Sequence, residues 1–193
     1  MIIDQRISET QIVSEYEELL SIYSELKPTN ILEIGSLLGF SLKHFMHYAK
    51  NGANVISIDL PVRDFCGPQD YRVKEQEHNY SVEWPQWAKL NKIKLYLIKG
   101  MSQWSLSLEQ VKSITPELDF LFIDGNHMYE YVKKDFEMYS PLVKKGGIVA
   151  LHDIAENEEG GVFNYWNELK KNYKHLEILH SDKKEKGIGL LYI

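Results

Sequence analysis

The feature that most constrains this chain is the regular alternation of short apolar runs with stretches of helical periodicity. Five runs stand out: Ile31-Leu32-Glu33-Ile34, Val55-Ile56-Ser57-Ile58-Asp59, Lys94-Leu95-Tyr96-Leu97-Ile98, Phe120-Leu121-Phe122-Ile123-Asp124 and Ile148-Val149-Ala150-Leu151-His152-Asp153. Near-continuous apolar runs of this length are strands buried on both faces, and strands that alternate with helices make a parallel sheet. The helices between them are predicted over residues 9–26 with Ser8 as cap, 41–50, 106–114, 129–139 and 162–172. In the first, Ile12, Tyr16, Leu19, Leu20 and Tyr23 recur at helical spacing, and Pro28-Thr29-Asn30 stops it. Asn51-Gly52 stops the second. The last two runs, Leu176–Leu179 and Gly189–Ile193, break the rhythm. They are joined by the short charged turn Ser181–Lys186, too short for a parallel crossover, so they must pair antiparallel.

The expected fold class is therefore α/β: a Rossmann-like doubly wound sheet of seven strands, mostly parallel with a C-terminal antiparallel pair, and helices on both faces. The chain has 193 residues, within the size of one domain. Residues 1–28 form an N-terminal helical segment of it. The formal charge of −6 argues against nucleic acid as a partner, since such proteins carry a basic stripe. No run reaches the length of about 18 apolar residues that a membrane span needs. The start, Met1-Ile2-Ile3-Asp4-Gln5-Arg6, lacks the layout of a signal peptide. One cysteine, Cys66, allows no intramolecular disulfide and no Cys-rich zinc site, and fits a reducing, cytoplasmic setting.

Open α/β sheets bind ligands beyond the carboxyl ends of their strands. The first strand ends Glu33-Ile34-Gly35-Ser36-Leu37-Leu38-Gly39. Gly35 would allow a sharp turn and close approach to a ligand, and Gly39 would admit the ligand or the following helix. The dinucleotide fingerprint G-x-G-x-x-G is absent, which argues against a pyrophosphate cradle. Asp59 ends the second strand, 24 residues beyond Gly35, where such folds hold ribose hydroxyls. A ribose acid without a phosphate cradle points to a nucleoside ligand. S-adenosylmethionine fits, and its positive groups would suit an acid such as Glu33. The alternative is a tight turn with an incidental Asp.

A second constellation ends the fourth and fifth strands: Asp124-Gly125-Asn126-His127, and His152-Asp153. Adjacent strands lie about 4.8 Å apart, so these side chains can converge on one ion. Two carboxylates with an imidazole partner suit Mg²⁺ or Mn²⁺. His127, three residues past Asp124, has the ring chemistry of a general base. The bland alternatives are loop caps for the two acids, a packed strand-end His152 and a solvated His127. Tyr129, Val132 and Phe136 are expected to pack their helix on the sheet.

With these motifs the chain resembles class I S-adenosylmethionine-dependent methyltransferases over residues 31–193, in the Glu33-x-Gly35-x-x-x-Gly39 turn, Asp59 and the closing antiparallel pair. Gly100-Met101-Ser102-Gln103 is similar to the adenine-flanking Gly-Ala-Ser-Gln segment of catechol-type O-methyltransferases. The pattern Asp124-x-x-His127-x-Tyr129-x-x-Val132-x-x-Asp135, with the later Gly146-Gly147 and Asp153, resembles the macrocin O-methyltransferase and cephalosporin-hydroxylase-like group. This resemblance implies a cofactor site of Glu33, Gly35, Ser36, Gly39, Asp59, Ser102, Gln103 and Asp124. It implies a metal site of Asp124, His152 and Asp153, and His127 as base. The sequence departs from that group in having His152 where an acid is common. The expected activity is O-methylation of a hydroxylated small molecule, a sugar or secondary metabolite, with Mg²⁺. A metal-independent methyltransferase and a non-catalytic cofactor-binding module are the alternatives. The Pro61–Asn91 segment, rich in polar groups and aromatics and with one helix expected towards its end, is either a lid or acceptor-pocket wall, or packing for a displaced helix. Little chain is left to cap the acceptor, so that site is open or closed by a second copy in a homodimer.

Overall fold

The computed structural model describes residues 12–155, 160–180 and 186–193. Ser8, the N-terminal part of the expected 9–26 helix and the 181–185 turn lie outside these. Seven strands form one sheet: β1 (Asn30–Ile34), β2 (Asn54–Asp59), β3 (Lys94–Lys99), β4 (Leu118–Ile123), β5 (Val143–His152), β6 (Lys174–Ile178) and β7 (Ile188–Tyr192). Their spatial order is β3-β2-β1-β4-β5-β7-β6. The first five are parallel, and β7 runs antiparallel between β5 and β6. The closing hairpin thus folds back so that its second strand, not its first, pairs with β5. Apolarity explains this: β7 (Ile-Gly-Leu-Leu-Tyr) is buried except at its final tyrosine, whereas β6 is mostly exposed and suits an edge.

Period-two alternation divides the core. Phe120 and Phe122 of β4 pack on one face with Tyr16 and Tyr23 of α1 (Val13–Leu26), Phe45 of α2 (Phe40–Tyr48) and Trp84. Leu121 and Ile123 point to the other face, against Val132 and Phe136 of α7 (Tyr129–Tyr139) and Trp166 of α8 (Gly161–Leu169). Val132 and Phe136 pack as expected, while Tyr129 is only half-buried, edge-on to Tyr165. Helix α6 (Ser105–Ile114) follows β3.

The 61–91 segment is helical over most of its length: α3 (Val62–Phe65), α4 (Arg72–His78), a π-helical turn (Asn79–Glu83) and α5 (Trp84–Leu90). Trp84 is fully buried, and Asn79 Nδ2 donates to the Leu38 carbonyl at 3.0 Å. Of the side chains of this segment, Phe65 reaches the cleft described next. No described helix is long and apolar enough to cross a membrane.

Candidate functional site

Strand register brings the site together. Ile34 lies beside Ile58 on one flank and Ile123 on the other, and Ile123 lies beside Leu151. The residues one step further, Gly35, Asp59, Asp124 and His152, therefore emerge side by side. β1 pairs with β2 and β4, so strand order reverses there, and ligands of open α/β sheets occupy that crevice. A cleft of about 530 Å³ opens at this point. Of the expected residues, Gly35, Ser36, Asp59, Ser102, Gln103, Asp124, His127, His152 and Asp153 line it. Leu37, Leu38, Phe65, Met101 and Tyr131 add apolar and aromatic wall.

Glu33 and Gly39 lie outside the cleft lining. Glu33 is fully buried beneath the β1–α2 turn, where Ser36 Oγ donates to its Oε2 at 2.7 Å and Ser41 Oγ donates to Oε1. Burial raises its pKa to about 8; the two serine hydroxyls pull the other way, and Asp124 and Asp59 add to the rise. Glu33 braces the turn from below. A Cβ on Gly39 would come within 2.3 Å of the Trp84 indole, so this glycine makes room for that ring. Gly35 is held at φ +87°, and a Cβ there would meet the Asp124 carbonyl oxygen at 2.1 Å. Its freedom lets the turn lie directly against the end of β4.

Asp59 carries the turn itself. Its Oδ2 accepts from the Leu37 amide at 2.5 Å and its Oδ1 from the Leu60 amide at 2.7 Å. Burial raises its pKa to about 6 against the pull of these amides. Leu37 sits at φ +47°, a left-handed conformation uncommon for leucine, so the Asp59 contact holds backbone strain in place. Sequence reasoning missed Leu37, because nothing in its type marks it.

The acids and histidines of β4 and β5 form one cluster. His152 Nδ1 lies 3.1 Å from both Asp124 Oδ1 and Asp153 Oδ2. His127 Nε2 lies 3.1 Å from Asp153 Oδ2 and 3.8 Å from Asp124 Oδ1. For His152, burial works against the charge, but Asp124 and Asp153 win and raise its pKa to about 10. Hydrogen bonding to Asp124 raises that of His127, while burial opposes. Asp124 is lowered well below the carboxylate range, since its two histidines outweigh its burial. Asp153 adopts φ +61°, a left-handed conformation uncommon outside glycine.

One donor atom each from Asp124, His152 and Asp153 lie within 4.8 Å of one another, so the set fits a divalent ion of the Mg²⁺ or Mn²⁺ kind. The carboxylates set that fit. The far nitrogen of His152, Nε2, is buried without a hydrogen-bond partner among the described residues. A ligating imidazole ordinarily donates its second N–H to an acceptor.

Comparison with known proteins follows the same lines. A family model described as "Methyltransferase domain" matches residues 32–154. The uncharacterized protein y4gI of Sinorhizobium fredii is 27% identical over 175 residues, 86% of this chain and 17% of that protein. The uncharacterized protein R132 of Acanthamoeba polyphaga mimivirus is 44% identical over 39 residues, 20% of this chain and 18% of that protein. The chain thus spans less than a fifth of the length of the curated relatives it matches. Among solved structures, the O-methyltransferase from Bacillus cereus in complex with SAH superposes with a TM-score of 0.67 at 18% identity, covering 95% of this chain and 82% of that one. TomG, the O-methyltransferase from Streptomyces achromogenes involved in tomaymycin synthesis, in complex with SAM, gives 0.60 at 17% identity over 95% and 81%. SAH-bound PaMTH1, a methyltransferase of Podospora anserina, gives 0.62 at 15% over 98% and 82%. At these identities the likeness establishes a shared fold.

Proposed function

The chain belongs to the methyltransferase-domain family, and on that footing we propose that it transfers a methyl group from S-adenosylmethionine to a hydroxyl of a small molecule, with His127 as general base. The observation that carries this reading is one cleft holding both a nucleoside-type wall (Gly35, Asp59, Ser102, Gln103) and the Asp124–His127–His152–Asp153 cluster. The superposed structures with SAM and SAH support the cofactor. The Asp124-to-Asp135 pattern, which resembles the macrocin O-methyltransferase group, supports a sugar or secondary-metabolite acceptor.

Asp59 would face the ribose, its oxygens already fixed by two backbone amides. The acceptor hydroxyl would lie at the cluster, its proton passing to His127 Nε2. The acceptor oxygen then forms its bond to the methyl carbon as the carbon–sulfur bond breaks, and the electron pair stays on sulfur as a neutral thioether. Proximity and deprotonation are the main contributions. Asp124, His152 and Asp153 would hold a divalent ion, which when bound acidifies a coordinated hydroxyl. His127 must be neutral to act. Its carboxylate neighbours favour the charged ring in the resting cleft, and positive charge brought against them restores the base.

His152 favours a second reading. Its bridging Nδ1 and raised pKa let the protonated ring offset one of the two carboxylate charges without an ion. One experiment separates these. Hydroxylated metabolites are screened with labelled S-adenosylmethionine, with Mg²⁺ or with chelator, for the wild type and His127→Ala. Transfer should fall by about 10²–10⁴-fold in the variant while titration calorimetry still detects cofactor binding. Full transfer by His127→Ala ends the base reading. Full transfer under chelation decides for the metal-free one.

A further inference from the structure

Asp135 is an acid in the middle of α7, fully buried, and its Oδ2 makes no hydrogen bond of ordinary length among the described residues, although the Ser102 side chain helps to hold the carboxylate ionised. Burying a carboxylate in this way costs folding energy, and packing alone would be better served by an apolar residue. Its other oxygen does have a partner: Gln103 Nε2 donates to Asp135 Oδ1 at 2.7 Å. Four residues along the same helix, the Tyr139 hydroxyl donates to the Ser102 carbonyl at 2.7 Å. Helix α7 therefore grips the β3–α6 loop at two consecutive residues, both of which line the cleft.

The two grips differ in chemistry. Tyr139 holds backbone and fixes only where the loop lies. Asp135 holds a carboxamide, whose two ends are nearly identical in shape and opposite in hydrogen-bonding sense. An ionised carboxylate accepts only, so it takes the NH₂ end of Gln103, a residue of the cleft lining, and leaves Oε1 as the end that it does not hold. Burial raises the Asp135 pKa to about 6, which still leaves it ionised at neutral pH.

We infer that Asp135 is a positioning residue that locks the Gln103 carboxamide with its carbonyl toward the cleft, so that the site accepts a hydrogen bond from the 6-amino group of adenine and rejects a 6-oxo purine. This rests on the cofactor reading above and goes beyond it, because it assigns base discrimination to a residue that does not line the cleft. In a chain without the lock, the amide is free to rotate and present its NH₂ end to a 6-oxo group.

The test is calorimetric binding of S-adenosylhomocysteine and its deaminated analogue S-inosylhomocysteine to the full chain. The wild type should prefer the adenosyl compound, and Asp135→Asn, of nearly the same shape but able to donate or accept, should reduce that preference roughly tenfold or more. Gln103→Leu should reduce it by a similar factor with Asp135 intact, and adding Asp135→Asn to Gln103→Leu should change the ratio no further. A merely structural role would weaken both ligands alike and leave the ratio unmoved. Preference that survives in Asp135→Asn or in Gln103→Leu overturns the inference, and the Gln103 arm stands even if the Asp135 variant does not fold. A wild type that binds neither compound overturns the cofactor reading itself, and so tells the two failures apart.

Discussion

The two halves of the cleft solve opposite problems with the same residue type. On the β1–β3 side the acids are already satisfied: two amides hold Asp59, and Ser36 and Ser41 hold Glu33. Burial pushes both pKa values up. On the β4–β5 side, two acids and two histidines share contacts of 3.1 to 3.8 Å, and charge is drawn in instead of expelled. The first half is a template, shaped before a ligand arrives, where carboxyl groups serve as braces. The second is a reservoir of charge, in which an incoming cation or a moving proton changes the balance. Substitutions on the template should therefore register as stability or affinity, and those in the reservoir as rate.

The strongest way to break this comparison is Gly39→Ala. The new Cβ would sit 2.3 Å from the Trp84 indole, on backbone held at φ +77°. Overpacking plus left-handed strain should cost about 2–4 kcal/mol in urea unfolding. A variant of wild-type stability that has lost cofactor affinity would mean that Gly39 meets the ligand, and the template reading would fail at this glycine.

Gly39 also marks where sequence reading ran out. The five buried strands, their order of appearance and the acids at their tips were legible, because burial on both faces leaves an apolar run and a strand end leaves a polar stop. Asp124, His127, His152 and Asp153 were found for that reason, and register then brought them together. What each loop residue touches was not legible. Gly39 answers to Trp84, which is 45 positions away in a segment whose mixed polar and aromatic composition showed only the helix towards its end. Glu33 reads as a ligand for positive charge until its neighbours Ser36 and Ser41 are seen to fold over it. Asp135 belongs to a motif that was recognised, yet its partner Gln103 lies across a helix and a strand. The place of β7 inside the sheet depended on which hairpin strand was the more apolar, a comparison the sequence allowed and antiparallel pairing alone did not decide.

Asp59→Asn sharpens the comparison on a smaller scale. The amide oxygen can still accept from Leu37, but the NH₂ end then faces the Leu60 amide, and the lost hydrogen bond is only partly offset by removing the buried charge. Thermal stability at neutral pH should therefore fall modestly, by about 1–2 kcal/mol. Affinity for S-adenosylmethionine should fall roughly tenfold, the scale of one charge-assisted hydrogen bond to a ribose hydroxyl. A large drop in melting temperature with unchanged affinity would assign Asp59 to the Leu37 turn alone.

The smallest effect is expected at Glu33→Gln, and its sign is the informative part. The folded pKa of about 8 exceeds the ordinary value of 4.5, chiefly through burial, so the folded state binds the proton more tightly than the unfolded chain does. The stability from that proton is complete below about pH 4.5 and is lost as pH rises through about 8. At pH 6 the wild-type carboxyl is mostly neutral, and a glutamine of the same shape should lie within about 0.5 kcal/mol of it. Melting curves at pH 5 and pH 9 should then converge in the variant relative to the wild type, with the Asp59 contribution common to both. If the two proteins lose stability in parallel across that range, Glu33 is charged throughout. The buried brace would then carry the same kind of charge as the cluster across the cleft, and the distinction between template and reservoir would no longer hold at its deepest residue.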